Sequence, residues 1–245
     1  MQKHIIITGG SSGIGKGIAE HFYNKGWGVL ITGRNKEKLQ QAIDQMPGII
    51  TLEYDSLLDS DQQIIDFIKN NWAGSLDILV NNAGHVELGS LKDLSDTSMK
   101  QMYQSHLIGP ALLASHCIDF LSKQKGQILN ISSSHGMKAY ADTSAYGSAK
   151  AALNFMTKIW ALELAPLGIR VNAIAPGPTE TGILNSAGFS QEMISMIHDS
   201  ERQAIPLQRR GAVSDIVSNA TAILDSGSAW LTGVIIPVDG GLSIS

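Results

Sequence analysis

Short runs rich in Ile and Val recur at 5–7, 29–31, 49–52, 78–80, 128–131, 169–174 and 234–238, separated by longer stretches with helical spacing. Few architectures accommodate that alternation. Runs this short and this β-branched read as strands, and strands that are apolar along their length rather than at every second position need cover on both faces. Parallel strands joined by crossover helices supply it. The expected fold is a doubly wound α/β domain, a seven-stranded parallel sheet of order 3-2-1-4-5-6-7 with helices on both faces.

The helices are expected at 15–25, 36–46, 61–71, 99–123, 144–164 and 214–225. Gly26 ends the first, Pro47 and Gly48 stop the second, and Pro166 and Gly168 mark the exit of the fifth. No linker, repeat or like-charge run interrupts the chain, so residues 1–245 read as one domain. At this length one large core suffices without disulfides, and Cys117, the single cysteine, has no partner for a bridge. With 18 basic against 22 acidic residues the chain lacks the basic excess of a nucleic-acid wrapper. The apolar stretch near the N-terminus is too short for a signal segment, and no run is long enough to span a bilayer. The expected setting is cytoplasmic, with no membrane and no nucleic-acid partner. No metal site is expected, since no histidine pair has zincin spacing.

Chemistry enters at Thr8 to Gly15, TGGSSGIG, which follows the first strand and opens the first helix. Gly9, Gly13 and Gly15 remove side chains where a backbone must turn, approach a phosphate and pack helix on strand, while the helix start offers free N–H groups and a positive dipole end. The spacing is G-x-x-x-G-x-G, not the usual dinucleotide G-x-G-x-x-G, so the reading rests on strand, turn and helix together. Gly9 to Gly13 also fits G-x-S-x-G, which would make Ser11 the nucleophile of a hydrolase. Against that, the turn follows the first strand, with no upstream loop for a second oxyanion donor, and no histidine follows the last strand. After the second strand stands Arg34, with no acid to bind a ribose diol; a 2'-phosphate prefers such an arginine, so NADP(H) is the expected cofactor, with NAD(H) as the other possibility.

Tyr146 and Lys150 are four residues apart on a helix and so leave the same face, where an ammonium beside a phenol favours the phenolate and makes a tyrosine usable as an acid–base near neutral pH. Ser133 stands just past the fifth strand among three consecutive serines, at the sheet edge where ligands bind.

Together these motifs resemble the short-chain dehydrogenases/reductases over nearly the whole chain. TGGSSGIG is similar to that family's T-G-x-x-x-G-I-G, Asn81 to Gly84 to its N-N-A-G, Tyr146 to Lys150 to its Y-x-x-x-K, Pro176-Gly177 to its post-strand P-G, and Val238 to Gly241 to its C-terminal signature. The resemblance implies an oxidoreductase that moves a hydride between a nicotinamide cofactor and a small carbonyl or alcohol. Tyr146 would be its acid–base, Lys150 would lower the tyrosine's pKa, and Ser133, selected over Ser132 and Ser134 by the family spacing, would hold the substrate oxygen. The cofactor would lie along Gly9, Ser11, Ser12, Gly13, Ile14 and Gly15, then past Arg34, Asp55 and Ser56. It would continue along Asn81, Ala83 and Gly84, beside Tyr146 and Lys150, to Pro176, Gly177, Thr179 and Thr181. The family also implies a homo-oligomer, dimer or tetramer, built on the helices at 99–123 and 144–164.

The chain departs from the family at His106, where an Asn usually holds a relay water near the lysine. Two readings stand there: a working but altered relay with His106 in a catalytic role, or a core histidine with the relay lost, leaving an NADP-binding sensor or scaffold. Residues 179–208 form the expected substrate lid, carrying Leu184, Phe189, Met193, Ile194, Met196 and Ile197. His85 and His135 follow two of the motifs and are candidate pocket residues.

Overall fold

Ile5 and Ile7 face one side of a sheet and Ile6 the other, and all three are fully buried, which is why the first run carries no polar residue. The computed structural model describes residues 2–57, 60–225 and 229–245. Its strands are β1 (His4–Ile7), β2 (Gly28–Gly33), β3 (Ile50–Glu53), β4 (Ile78–Asn81), β5 (Gln127–Ile131), β6 (Arg170–Pro176) and β7 (Ile235–Val238). They form one sheet in the order β3-β2-β1-β4-β5-β6-β7 with every pairing parallel.

The helices are α1 (Gly13–Asn24), α2 (Lys36–Gln45), α3 (Gln62–Asn71), α4 (Asp96–Tyr103), α5 (Gly109–Gln124), α6 (Ser144–Leu164), α7 (Ile183–Ser186), α8 (Gln191–Ala204) and α9 (Val213–Leu224). On one face Ile5, Ile7 and Ile31 pack with Ile18 and Phe22 of α1 and Ile216 of α9. On the other, Ile6 and Leu30 meet Ile64 and Ile68 of α3 and Leu113 and Cys117 of α5. Each fully buried side chain of this kind contributes about 1.5–3 kcal/mol of transfer free energy. Two such cores hold the sheet between helix layers and leave its ends free to carry chemistry.

The expected helix at 99–123 is corrected in two respects. It begins earlier, at Asp96, because the Ser95 side chain accepts from the Ser98 N–H and caps it. It is also interrupted by a π-helical segment at Gln104–Ile108 before α5 continues. Such a segment adds a residue to one turn and re-aims the side chains around it. Among the described residues no helix is long and apolar enough to cross a membrane.

Candidate active site

Strands β1 to β6 deliver their carboxyl ends to one cavity of about 500 Å³, within the usual range of cofactor and small-molecule sites. Its first wall is the glycine turn. Gly9 (φ 65°) and Gly13 (φ 55°) adopt left-handed backbone that side chains disfavour. Ser12 precedes α1 without a side-chain capping bond, and the first turn of α1 carries no acidic residue. The N–H groups of that helix end are thus left to a ligand, and the arrangement fits a phosphate-bearing cofactor. Thr181 closes over the turn from the far side: a Cβ added at Gly13 would meet its methyl at 3.5 Å.

Two expected cofactor residues lie elsewhere. Gly15 does not line the cavity; a Cβ there would fall 2.6 Å from the Gly9 carbonyl oxygen, so its part is to let α1 pack on the turn. Asn81 ends β4 directly across from Asn130 of β5, is buried, and donates to the Asn130 side chain at 2.9 Å. The next residue, Asn82, lines the cavity instead, donating to the carbonyls of Thr8 (2.9 Å) and Gly9 (3.1 Å). Thr8 Oγ1 in turn accepts from the Asn82 and Ala83 N–H groups, both at 3.0 Å. Strand alternation carries the reason: successive side chains point to opposite sides, so only one asparagine of the pair reaches the turn.

Ser11, Ser12, Ile14, Arg34, Asp55, Ser56, Ala83, Gly84, Pro176, Gly177, Thr179 and Thr181 all line the cavity. Arg34 keeps a side chain 59% exposed, with Nη1 3.7 Å from Asp55. Lys38 shares that wall and was not singled out in the sequence; its one signal is a position a helical turn beyond Arg34, where the Asn35 side chain accepts its N–H at 2.8 Å. No histidine hydrogen-bonds to Ser11 among the described residues, so the nucleophile reading of that serine finds no base.

Ser133, Tyr146, Lys150 and His106 converge at the β5 end. Lys150 is buried, donates from Nζ to the Ile131 carbonyl at 2.8 Å, and lies 5.9 Å from the centre of the Tyr146 ring. Burial pushes its ammonium down to about 7. Burial also pushes the Tyr146 phenol above the ordinary tyrosine value, opposed by a hydrogen bond from Ser133. The phenol beside Lys150 is thus raised rather than lowered, because desolvation disfavours the ammonium and the phenolate alike.

His106 lies in the π-helical segment, buried, with its ring edge-on to Tyr146 at 5.2 Å. Its Nε2 is 2.6 Å from the His85 carbonyl oxygen, which can only accept, so Nε2 carries the hydrogen and Nδ1 is the bare nitrogen. That Nδ1 is buried with no hydrogen-bond partner among the described residues. Burial, reinforced by Lys150, holds the imidazole well below the ordinary histidine range and therefore neutral at physiological pH.

The segment after β6 folds over the cavity by way of a buried arginine. Arg210 donates to Glu180 at 2.9 Å and to the Thr179 carbonyl at 2.8 Å, and pairs with Glu201 of α8. Of the apolar residues expected to form a lid here, Leu184 and Ile197 line the cavity and Ile194 is buried, whereas Met193 and Met196 face solvent.

A family model described as Enoyl-(Acyl carrier protein) reductase matches residues 9–243. The chain is 34% identical, over 98% of its length and 96% of the relative's, to a probable 2,4-dienoyl-CoA reductase of Bacillus subtilis (strain 168). It superposes with a TM-score of 0.87 on a short-chain dehydrogenase from Bacillus anthracis, at 33% identity, covering 99% of this chain and 97% of that one. ElxO with NADP bound gives the same TM-score at 30% identity, with 99% of each chain covered.

Proposed function

The chain belongs to the short-chain dehydrogenase/reductase family and is an NAD(P)-dependent oxidoreductase, and from that premise we propose that it is an NADP(H)-preferring enzyme interconverting a small carbonyl compound and its alcohol. The observation that carries the reading is the meeting of Ser133, Tyr146 and Lys150 at the β5 end of the cavity that the glycine turn also lines.

The turn from Gly9 to Gly13 and the start of α1 would hold the cofactor's phosphates, Asp55 and Ser56 its adenine end, and Arg34 with Lys38 a 2'-phosphate. When bound, the nicotinamide supplies or accepts the hydride. Everything else falls to the chain. Ser133 donates its hydroxyl hydrogen to the substrate oxygen and fixes its place. Tyr146 gives that oxygen a proton in reduction and takes it back in oxidation. A charged Lys150 steadies the phenolate left behind, and His106 offers its bare Nδ1 to a relay water behind the lysine. Residues 179–208 act as the lid, which Arg210 ties to the sheet. Leu112 of α5 and Phe155 and Leu162 of α6 are 49%, 66% and 78% exposed, and these faces suit the self-association proposed for the chain as a dimer or tetramer.

Titration with NADPH and NADH, followed by turnover of a carbonyl panel, tests the reading. NADPH binds more tightly, Arg34→Ala loses about ten-fold or more of that preference, as charge-assisted phosphate contacts do, and Tyr146→Phe abolishes turnover while nucleotide still binds. Equal affinity for the two nucleotides in the native protein removes the Arg34 assignment; turnover that survives Tyr146→Phe removes the acid–base assignment.

A further inference from the structure

The loop that leaves β5 carries a group the proposed reaction does not use. Its short 3-10 turn, Ser134–Gly136, lies hard against α6: a Cβ at Gly136 would fall 2.7 Å from the Lys150 backbone carbon, and one at Gly147 would fall 3.1 Å from the His135 carbonyl oxygen. Two glycines thus let the loop approach α6 within one turn of Tyr146, and the Asn154 side chain secures it by donating to the Gly136 carbonyl at 3.0 Å. The His135 ring is held between two tyrosines, with centroids 4.5 Å from Tyr140 and 5.8 Å from Tyr146, and it lines the cavity.

Ser133 Oγ accepts the His135 backbone N–H at 3.2 Å, and His135 Nδ1 lies 3.4 Å from the same oxygen. That second distance is at the long limit of a hydrogen bond, so neither group is firmly committed to the other. A serine hydroxyl has one hydrogen to give. With the imidazole hydrogen on Nε2, Nδ1 is the next acceptor along the wall once the serine points at a reacting carbonyl oxygen. The group that such an acceptor suits is a hydroxyl on the carbon next to the carbonyl. Burial keeps the imidazole below the ordinary histidine range, so a bare nitrogen is present at neutral pH.

The charges around this end of the cavity narrow the choice. Among the described lining residues, Lys150 is engaged by the Ile131 carbonyl and Arg210 by Glu180, Glu201 and the Thr179 carbonyl, while Arg34 and Lys38 stand on the β2 side. No uncommitted cation waits near Ser133 for a carboxylate or phosphate on the substrate.

We propose that His135 is a specificity-determining residue that recognises a hydroxyl adjacent to the reacting carbonyl, so that the substrates are uncharged α-hydroxy carbonyl compounds and, in reverse, vicinal diols. This rests on the roles given above to Ser133 and Tyr146.

The test compares 1-hydroxy-2-butanone with 2-butanone, which share a carbon skeleton, using the full chain and NADPH. The hydroxyketone is expected to have the higher kcat/KM by about ten- to a hundred-fold, the range for one buried hydrogen bond left unmade. His135→Phe, which keeps a ring between the two tyrosines, collapses that preference toward unity mainly by raising KM for the hydroxyketone. His135→Asn, whose side-chain oxygen accepts, restores part of it. Equal use of the two ketones by the native protein, or a preference that survives His135→Phe, overturns the proposal and leaves the reductase reading in place. Turnover of other carbonyls in the panel but of neither ketone overturns this proposal alone, whereas nucleotide binding with no turnover of any carbonyl overturns the reductase reading and this proposal with it.

Discussion

Gly84→Ala is the sharpest probe of how the π-helical segment is built into the site. A Cβ at Gly84 would fall 2.8 Å from His106 Nδ1 and closer still to Cε1, against an ordinary contact of about 3.5–4.0 Å. Moving Nδ1 out to that range means a retreat of roughly 1 Å, and the ring has little freedom to make it. Its Nε2 is bonded to the His85 carbonyl at 2.6 Å and the Tyr146 ring stands across it, with centroids 5.2 Å apart. Overpacking of this kind costs about 1–3 kcal/mol, and weakening the buried bond to His85 adds about 1 kcal/mol. The expected loss is therefore about 2–4 kcal/mol, which for a chain of this size lowers Tm by roughly 4–16 °C. Urea unfolding followed by circular dichroism measures it, provided the slope m is unchanged. The decisive comparison is a cycle with His106→Ala. With the imidazole gone the added methyl meets no ring, and Gly84→Ala then costs less than about 1 kcal/mol, a coupling of about 1–3 kcal/mol. If the two substitutions add to within about 0.5 kcal/mol, the steric account of Gly84 is wrong.

Two further perturbations follow from the same geometry. His106 is neutral in the fold because its pKa is depressed below 6.5; below that pH the unfolded chain takes up a proton that the folded chain refuses, so stability falls as pH falls, by up to about 1.4 kcal/mol per pH unit for this one group. His106→Asn should show a shallower decline in Tm between pH 6.5 and 5, and parallel curves for the two proteins would mean that His106 titrates normally. Arg210→Met leaves Glu201 and Glu180 without their buried partner, and because Glu180 is half exposed the cost stays below the roughly 3 kcal/mol of a fully buried pair. Faster amide exchange across 190–208, with the glycine turn unchanged, is the expected result, and unaltered exchange there would show that the arginine does not hold that segment down.

What could be read from the sequence divides along a physical line. The strands at 5–7, 78–80 and 128–131 were legible because burial on both faces leaves an unbroken apolar signature that local neighbours write. The facing of Tyr146 and Lys150 was legible for a similar reason, since a helical turn settles it without reference to the rest of the chain. Asn81 and Asn82 were not separable in this way. Which of two adjacent polar side chains turns toward the glycine loop depends on the exit of β4 and on Asn130 across the sheet, 49 residues further on.

The same line explains His106. Nothing in Gln104 to Ile108 announces the π-helical segment that joins α4 to α5 over the site. The pK depression of Lys150 was missed because the sequence places a cation beside a phenol but says nothing of how dry the pair is; the fold makes desolvation the larger effect. A charged lysine at neutral pH therefore has to be maintained by what surrounds it. The neutral imidazole of His106 matters for that reason, because a protonated one beside Lys150 would depress the ammonium further.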